Sequence, residues 1–241
     1  MECALEFREI EASYHEFKVL NNISFNVKKG SFFSLIGHNG AGKSTLLKCL
    51  LDFYKVDKGT IFIMEKPHFM PESRRVLSYL PERFMPPAHL KGVELLRYIL
   101  TLHGSTPSEE KIRAMMDALE LRESALAQST RTYSKGMAQK LGLAISFLCE
   151  KPLLILDEPM SGLDPKARVL VKNQIKQLKE KNTTVFFTSH SLSDVEELAD
   201  EMAILDNGDI LFQGTPDECK DAFEASSLEQ AFMNCIAPAL N

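Results

Sequence analysis

Eight consecutive residues carry the most explicit chemistry in this sequence: Gly37, His38, Asn39, Gly40, Ala41, Gly42, Lys43 and Ser44, with Thr45 following. They fit the pattern G-x-x-x-x-G-K-[ST], whose glycines let a tight turn aim successive backbone N–H groups at phosphate oxygens. A helix that starts where the turn ends adds the positive pole of its dipole. Lys43 is placed to reach the β- and γ-phosphates, and Ser44 to hold Mg²⁺. A second signal complements the first, because the apolar run Leu153-Leu154-Ile155-Leu156 ends in Asp157 and Glu158. Beside a phosphate loop, Asp157 would bind Mg²⁺ directly or through water, and Glu158 would orient or deprotonate an attacking water. Together these residues imply a nucleotide site.

Such a loop requires a strand before it and a helix after it. The run at 31–36 reads as a buried strand, and Leu46, Leu47, Leu50 and Leu51 repeat at helical spacing. Leu153–Leu156 and Thr184-Val185-Phe186-Phe187 predict two more buried strands. Between them Asp164 caps a helix with Pro165 at its first position. Met202 to Leu205, the Asn207-Gly208 turn and Ile210 to Phe212 predict a hairpin. The stretch 84–132 differs, since it shows helical periods only. Val93, Leu96, Ile99 and Leu100 predict an amphipathic helix that Gly104 can end. Thr106-Pro107-Ser108-Glu109 predicts a capping box with Pro107 at the first helical position. Pro86-Pro87 marks a hinge into this insert. Lys166, Arg168, Lys172, Lys176 and Lys179 read as the solvated face of a helix. The chain is therefore expected to be an α/β protein with a mainly parallel sheet. Its core would span about 1–83 and 133–215, with a helical insert at 84–132 and a short helical segment at 215–241 opened by Thr215.

Composition sets bounds on partners. The 241 residues are 25% charged and 44% hydrophobic, the balance of one large globular domain. With Lys+Arg 28 against Asp+Glu 33, the net charge of −5 argues against coating nucleic acid. Five cysteines without a C-x-x-C pair predict free thiols in a reducing compartment. Glu2 and Glu6 stand where a signal peptide needs a basic start, and the apolar run 141–149 is too short to span a bilayer. A cytoplasmic location is expected.

From about residue 5 to 215 the sequence resembles the nucleotide-binding subunit of an ABC (ATP-binding cassette) transporter. Tyr133-Ser134-Lys135-Gly136-Met137 is similar to the family signature Leu-Ser-Gly-Gly-Gln, and Ser161-Gly162-Leu163-Asp164 to the loop after the catalytic carboxylate. His190 matches the switch histidine, and Tyr14 the aromatic that stacks on adenine. The resemblance implies a phosphate-loop NTPase (RecA-like) core with an antiparallel β portion and an inserted helical subdomain. It implies ATP and Mg²⁺ as cofactors, with Glu158, His190 and Lys43 as the catalytic set. It also implies a homodimer, in which Ser134 and Gly136 of one chain meet the ATP held by the phosphate loop of the other. Ser134 reads equally as a helix cap. A separate transmembrane permease subunit would supply the transport path and the only membrane contact, on the cytoplasmic face. His38 occupies a variable position of the loop, and its side chain receives no role.

Three residues depart from the family pattern. Lys135 stands in place of glycine, Met137 in place of glutamine, and Glu82, in Tyr79-Leu80-Pro81-Glu82, in place of glutamine. A carboxylate can accept from metal-bound water but cannot donate as an amide does, so Glu82 is a candidate for the metal site. These residues are similar to those of multidrug, antibiotic-resistance and cytochrome-maturation exporters. A groove bordered by Tyr79, Phe84, Met85 and the helix near Gly92 is expected to receive a helix of the membrane subunit. Two other functions stay open: a soluble cassette ATPase acting on ribosomes or nucleic acid, and a regulatory cassette without turnover.

Overall fold

The structure, a computed structural model, describes residues 2–237; Met1 and 238–241, which the expected domain boundaries include, lie outside the described residues. In chain order the strands are β1 (Cys3–Tyr14), β2 (Phe17–Lys28), β3 (Phe32–Ile36), β4 (Lys58–Ile63), β5 (Lys66–Pro67), β6 (Leu77–Leu80), β7 (Leu153–Leu156), β8 (Thr184–Ser189), β9 (Glu201–Asp206) and β10 (Asp209–Gly214). They form an antiparallel sheet of order β2-β1-β4-β5 and a six-stranded sheet of order β10-β9-β3-β8-β7-β6. The larger sheet is parallel except for the β9–β10 hairpin.

The central strands are apolar throughout because both of their faces are covered. The two-residue period of a strand sends Phe32 and Ile36 of β3 to one core, and Phe33 and Leu35 to another. The first core lies against the helices, including Leu96 and Met116 of the insert and Leu141 of the helix Lys135–Leu148. The second fills the space between the sheets. There Phe7 stacks on Phe25 at 4.3 Å, Phe25 on Phe33 at 5.4 Å and Phe33 on Phe186 at 5.8 Å. That column joins the antiparallel sheet to the strand preceding the phosphate loop. No helix among the described residues is long and apolar enough to cross a membrane.

Two local expectations are corrected. Ser108, not Thr106, caps the helix Glu109–Ala118, accepting the Lys111 N–H at 3.2 Å. Both residues have capping chemistry, and the start at Ser108 puts both Glu109 and Glu110 in the first turn, beside the positive pole of the dipole. The lysines of the helix Pro165–Glu180 are not simply solvated. Lys172 sits 2.6 Å from Asp194, Lys176 lies 2.6 Å from Glu197 and Lys179 2.6 Å from Asp200. Their spacing of four and three residues makes one stripe that faces the acidic helix Leu192–Leu198.

Phe186 has no exposed surface and touches the rings that join the two sheets. Phe186→Ala should cost about 3–5 kcal/mol in urea unfolding, whereas Phe186→Leu should retain most of the stability. Equal losses for the two variants would argue against packing as the cause.

Candidate functional site

The phosphate loop leaves the end of β3 and enters the helix Lys43–Leu50. Gly40 and Gly42 have φ of 91° and 116°, a backbone that side chains strain to adopt. Gly37 has a different reason, since a Cβ there would stand 2.2 Å from the Leu205 carbonyl oxygen. Gly42 occupies the N-cap position with no side-chain cap, so the first N–H groups of the helix face the loop. Ala41 and Thr45 are buried beneath it. Lys43 is also buried, and its ammonium donates to the carbonyls of Gly37 at 2.6 Å and His38 at 3.3 Å. Burial pushes its pKa down, opposed by the carboxylates of Glu158, Asp157 and Glu82.

Across an open cleft of about 330 Å³, Gly37, His38, Asn39, Lys43 and Ser44 face Glu82, Asp157, Glu158, Ser161 and His190. The end of β7 delivers the two carboxylates, and Thr188 of β8 fixes both. Its hydroxyl donates to Asp157 Oδ1 at 2.7 Å and accepts the Glu158 N–H at 2.9 Å. Burial pushes the Asp157 carboxyl up, and the Thr188 hydrogen bond works against that. Glu158 sits at φ 47°, the left-handed region, where its Oε2 lies 2.7 Å from His190 Nδ1. A local backbone cost of order 1–3 kcal/mol accompanies such a conformation. The sequence reading missed Thr188; its sole signal was its place two residues before His190.

Other expected residues lie elsewhere. Tyr14 does not line this cleft; its ring rests 4.6 Å from that of Tyr54 at the end of β1. Ser134 caps the helix Lys135–Leu148, accepting the Met137 N–H at 3.2 Å. Ser134 and Lys135 line a separate groove of about 470 Å³ with residues 82–86. Gly136 lies beside the loop after Glu158, where an added Cβ would stand 3.3 Å from the Gly162 carbonyl oxygen. The predicted border of that groove is corrected, since Tyr79 packs instead against the core between the sheets, where burial pushes its phenol up to about 12. The wall opposite Phe84 and Met85 is the start of the helix Lys135–Leu148, not the helix near Gly92.

The sequence pattern described as ABC transporter matches residues 20–161. The chain belongs to the ABC transporter family. An uncharacterized ABC transporter ATP-binding protein of Synechocystis sp. is 40% identical over 199 residues, covering 81% of this chain and 56% of that protein. The chain thus spans little more than half the length of that relative. The lantibiotic transport ATP-binding protein SrtF of Streptococcus pyogenes is 32% identical, over 96% of this chain and 97% of its own length. A solved structure described as the ATP binding subunit of an ABC transporter is 30% identical and superposes with a TM-score of 0.89. That superposition covers 97% of this chain and 100% of that one. The loop and the paired carboxylates therefore stand in an ABC framework.

Asp157 offers a test of the electrostatics without any ligand. Its ionised form is disfavoured in the folded chain, so the cost is absent at low pH and grows as pH rises through the carboxylate range. Asp157→Asn should stabilise the nucleotide-free protein by about 0.5–2 kcal/mol at pH 7, with the gain shrinking toward pH 4. Urea unfolding across pH reads this; a variant less stable than wild type at pH 7 would contradict it.

Proposed function

We propose that this ABC family chain binds ATP with Mg²⁺ and hydrolyses it as one of two identical subunits. Their closure would power export through a separate membrane-spanning subunit. One observation carries the reading: Lys43, Ser44, Asp157, Glu158 and His190 converge on one cleft, while Ser134 stands in another groove and Gly136 beside it. The second anion-binding helix start therefore suits the phosphates held by a second copy of the chain.

The donor chemistry fits Mg²⁺. The Ser44 hydroxyl and the Asp157 carboxylate are hard oxygen ligands, and Glu82 shares the cleft and is suited to accept from metal-bound water. Mg²⁺ commonly takes only one or two carboxylates from a protein, the rest coming from water and phosphate. When bound, the ion would neutralise charge between the β- and γ-phosphates. Lys43 and the N–H groups of Gly37, His38, Asn39, Gly40, Ala41, Gly42, Ser44 and Thr45 would hold the phosphates, with Tyr14 beside the adenine. Glu158 would take a proton from water as the water oxygen bonds to the γ-phosphorus and the bond to the bridging oxygen of ADP breaks. His190, hydrogen-bonded to Glu158, would hold that carboxylate in place and steady the transferring group. ADP and inorganic phosphate leave. The lantibiotic transport relative supports the transport role.

Glu158→Gln should keep ATP affinity and lose about 10²–10⁴ in turnover. With ATP, but not ADP, the variant should form dimers in sedimentation; a monomer in both would sink the shared site.

Met85 is 82% exposed beside half-buried Phe84 in the groove of residues 82–86. As the proposed seat of a membrane-subunit helix, the Phe84–Met85 edge of this groove makes a separate prediction, the Ser134 helix start being left to the other chain. Phe84→Ser with Met85→Ser should reduce recovery of the assembled complex while leaving ATP binding intact. An intact complex transporting normally would count against that seat.

A further inference from the structure

The turn between β9 and β10 grips the phosphate loop at three points. Gly37 is packed against the Leu205 carbonyl, the Gly208 N–H donates to Ala41 O at 3.0 Å, and His38 Nε2 lies 2.7 Å from Asp206 Oδ1. Only the third grip uses side chains. The other ring nitrogen of His38, Nδ1, lies 2.7 Å from the Asn39 carbonyl oxygen. Asp206 Oδ2 accepts from Asn207 Nδ2 at 2.9 Å, so both of its oxygens serve as acceptors. A carbonyl and a carboxylate are both acceptors, so each imidazole nitrogen faces one and the ring bridges Asn39 and Asp206.

We propose that His38 is a positioning residue of the phosphate loop, its ring clasped between Asn39 and Asp206 so that it fastens the loop to the β9–β10 turn. The consequence for ATP rests on the nucleotide reading above. Holding the Asn39 carbonyl on the ring keeps a negative dipole away from the phosphates. The clasp acts beside Gly40, around which an added Cβ would meet nothing within 4 Å. The charged groups facing His38 are Asp206 from the turn, Lys43 from its own loop, and Glu82, Asp157, Glu158 and His190 across the cleft. Asp209 pairs with Asp206 across the hairpin, and Cys235 is near enough that its thiol is pushed up to about 11 by burial and then by Asp206.

The test compares wild type with His38→Asn, Asp206→Asn and the double variant. ATP affinity is titrated without Mg²⁺ at one fixed pH. Each single variant should bind about two- to fivefold more weakly than wild type. The double variant should lose no more than either single one. An additive double variant would overturn the clasp. Amide hydrogen exchange at Gly40 and Gly42 in the nucleotide-free chain separates the two readings. Faster exchange in both single variants supports the clasp even if wild type binds no ATP, a result that would end the nucleotide reading alone. Unchanged exchange would overturn the clasp.

Discussion

A buried ammonium is the constraint around which this site is arranged. Lys43 is 8% exposed, and taking a charge out of water costs several kcal/mol unless partners replace the lost hydration. Here the carbonyls of Gly37 and His38 supply two acceptors, and three carboxylates facing the cleft supply opposite charge. Each partner requires its own part of the fold. The carbonyls turn toward Lys43 because glycines allow the loop to wrap. Asp157 and Glu158 arrive because β7 lies two strands from β3 in the same parallel sheet, and Glu82 because β6 lies beside β7; parallel strands end on the same side. The column of phenylalanines behind β3 holds that sheet against the antiparallel one.

The same charges leave the nucleotide-free site poorly satisfied. Burial disfavours the charged form of Lys43 and the charged form of Asp157 alike, and Glu158 occupies a left-handed backbone. Thr188 restrains the strain by bonding both acidic residues. Phosphates with a divalent cation would supply what each group lacks: an anion for Lys43 and a cation for Asp157. Local instability and the proposed affinity for nucleotide thus have one origin.

The sequence made the loop, its strand and its helix legible because each obeys a local rule, in turn chemistry, unbroken burial or period. It was least informative where pairing between distant segments overrides local pattern. β1 and β2 carry repeated register shifts, with Glu9 and Asn22 at positive φ, so the two-residue alternation breaks inside each strand. Thr188 and Asp206 lie about 150 or more residues after the loop, and only the sheet brings them to the site. Tyr79 was assigned to a groove because it precedes Glu82. The alternation of β6 sends it to the opposite face instead, into the core between the sheets.

The two anion-binding helix starts of one chain are separated but mechanically joined. Gln139, buried in the helix Lys135–Leu148, donates to the Pro159 carbonyl at 3.2 Å, and Lys135 Nζ reaches Ser161 Oγ at 3.2 Å. Pro159 follows Glu158 directly, and Ser161 lines the phosphate cleft. A shift of Glu158 would therefore pull on the helix that Ser134 caps. In the proposed dimer that helix start faces the other chain's phosphates, so rearrangement at one cleft would be felt at the second through backbone and side chains already in contact. Lys135 lies across Gly162, where an added Cβ would stand 2.7 Å from its stem, and the glycine there has φ 75°. The departure from the family signature at Lys135 is thus accommodated by a glycine in the loop it touches, and its side chain links two motifs 26 residues apart.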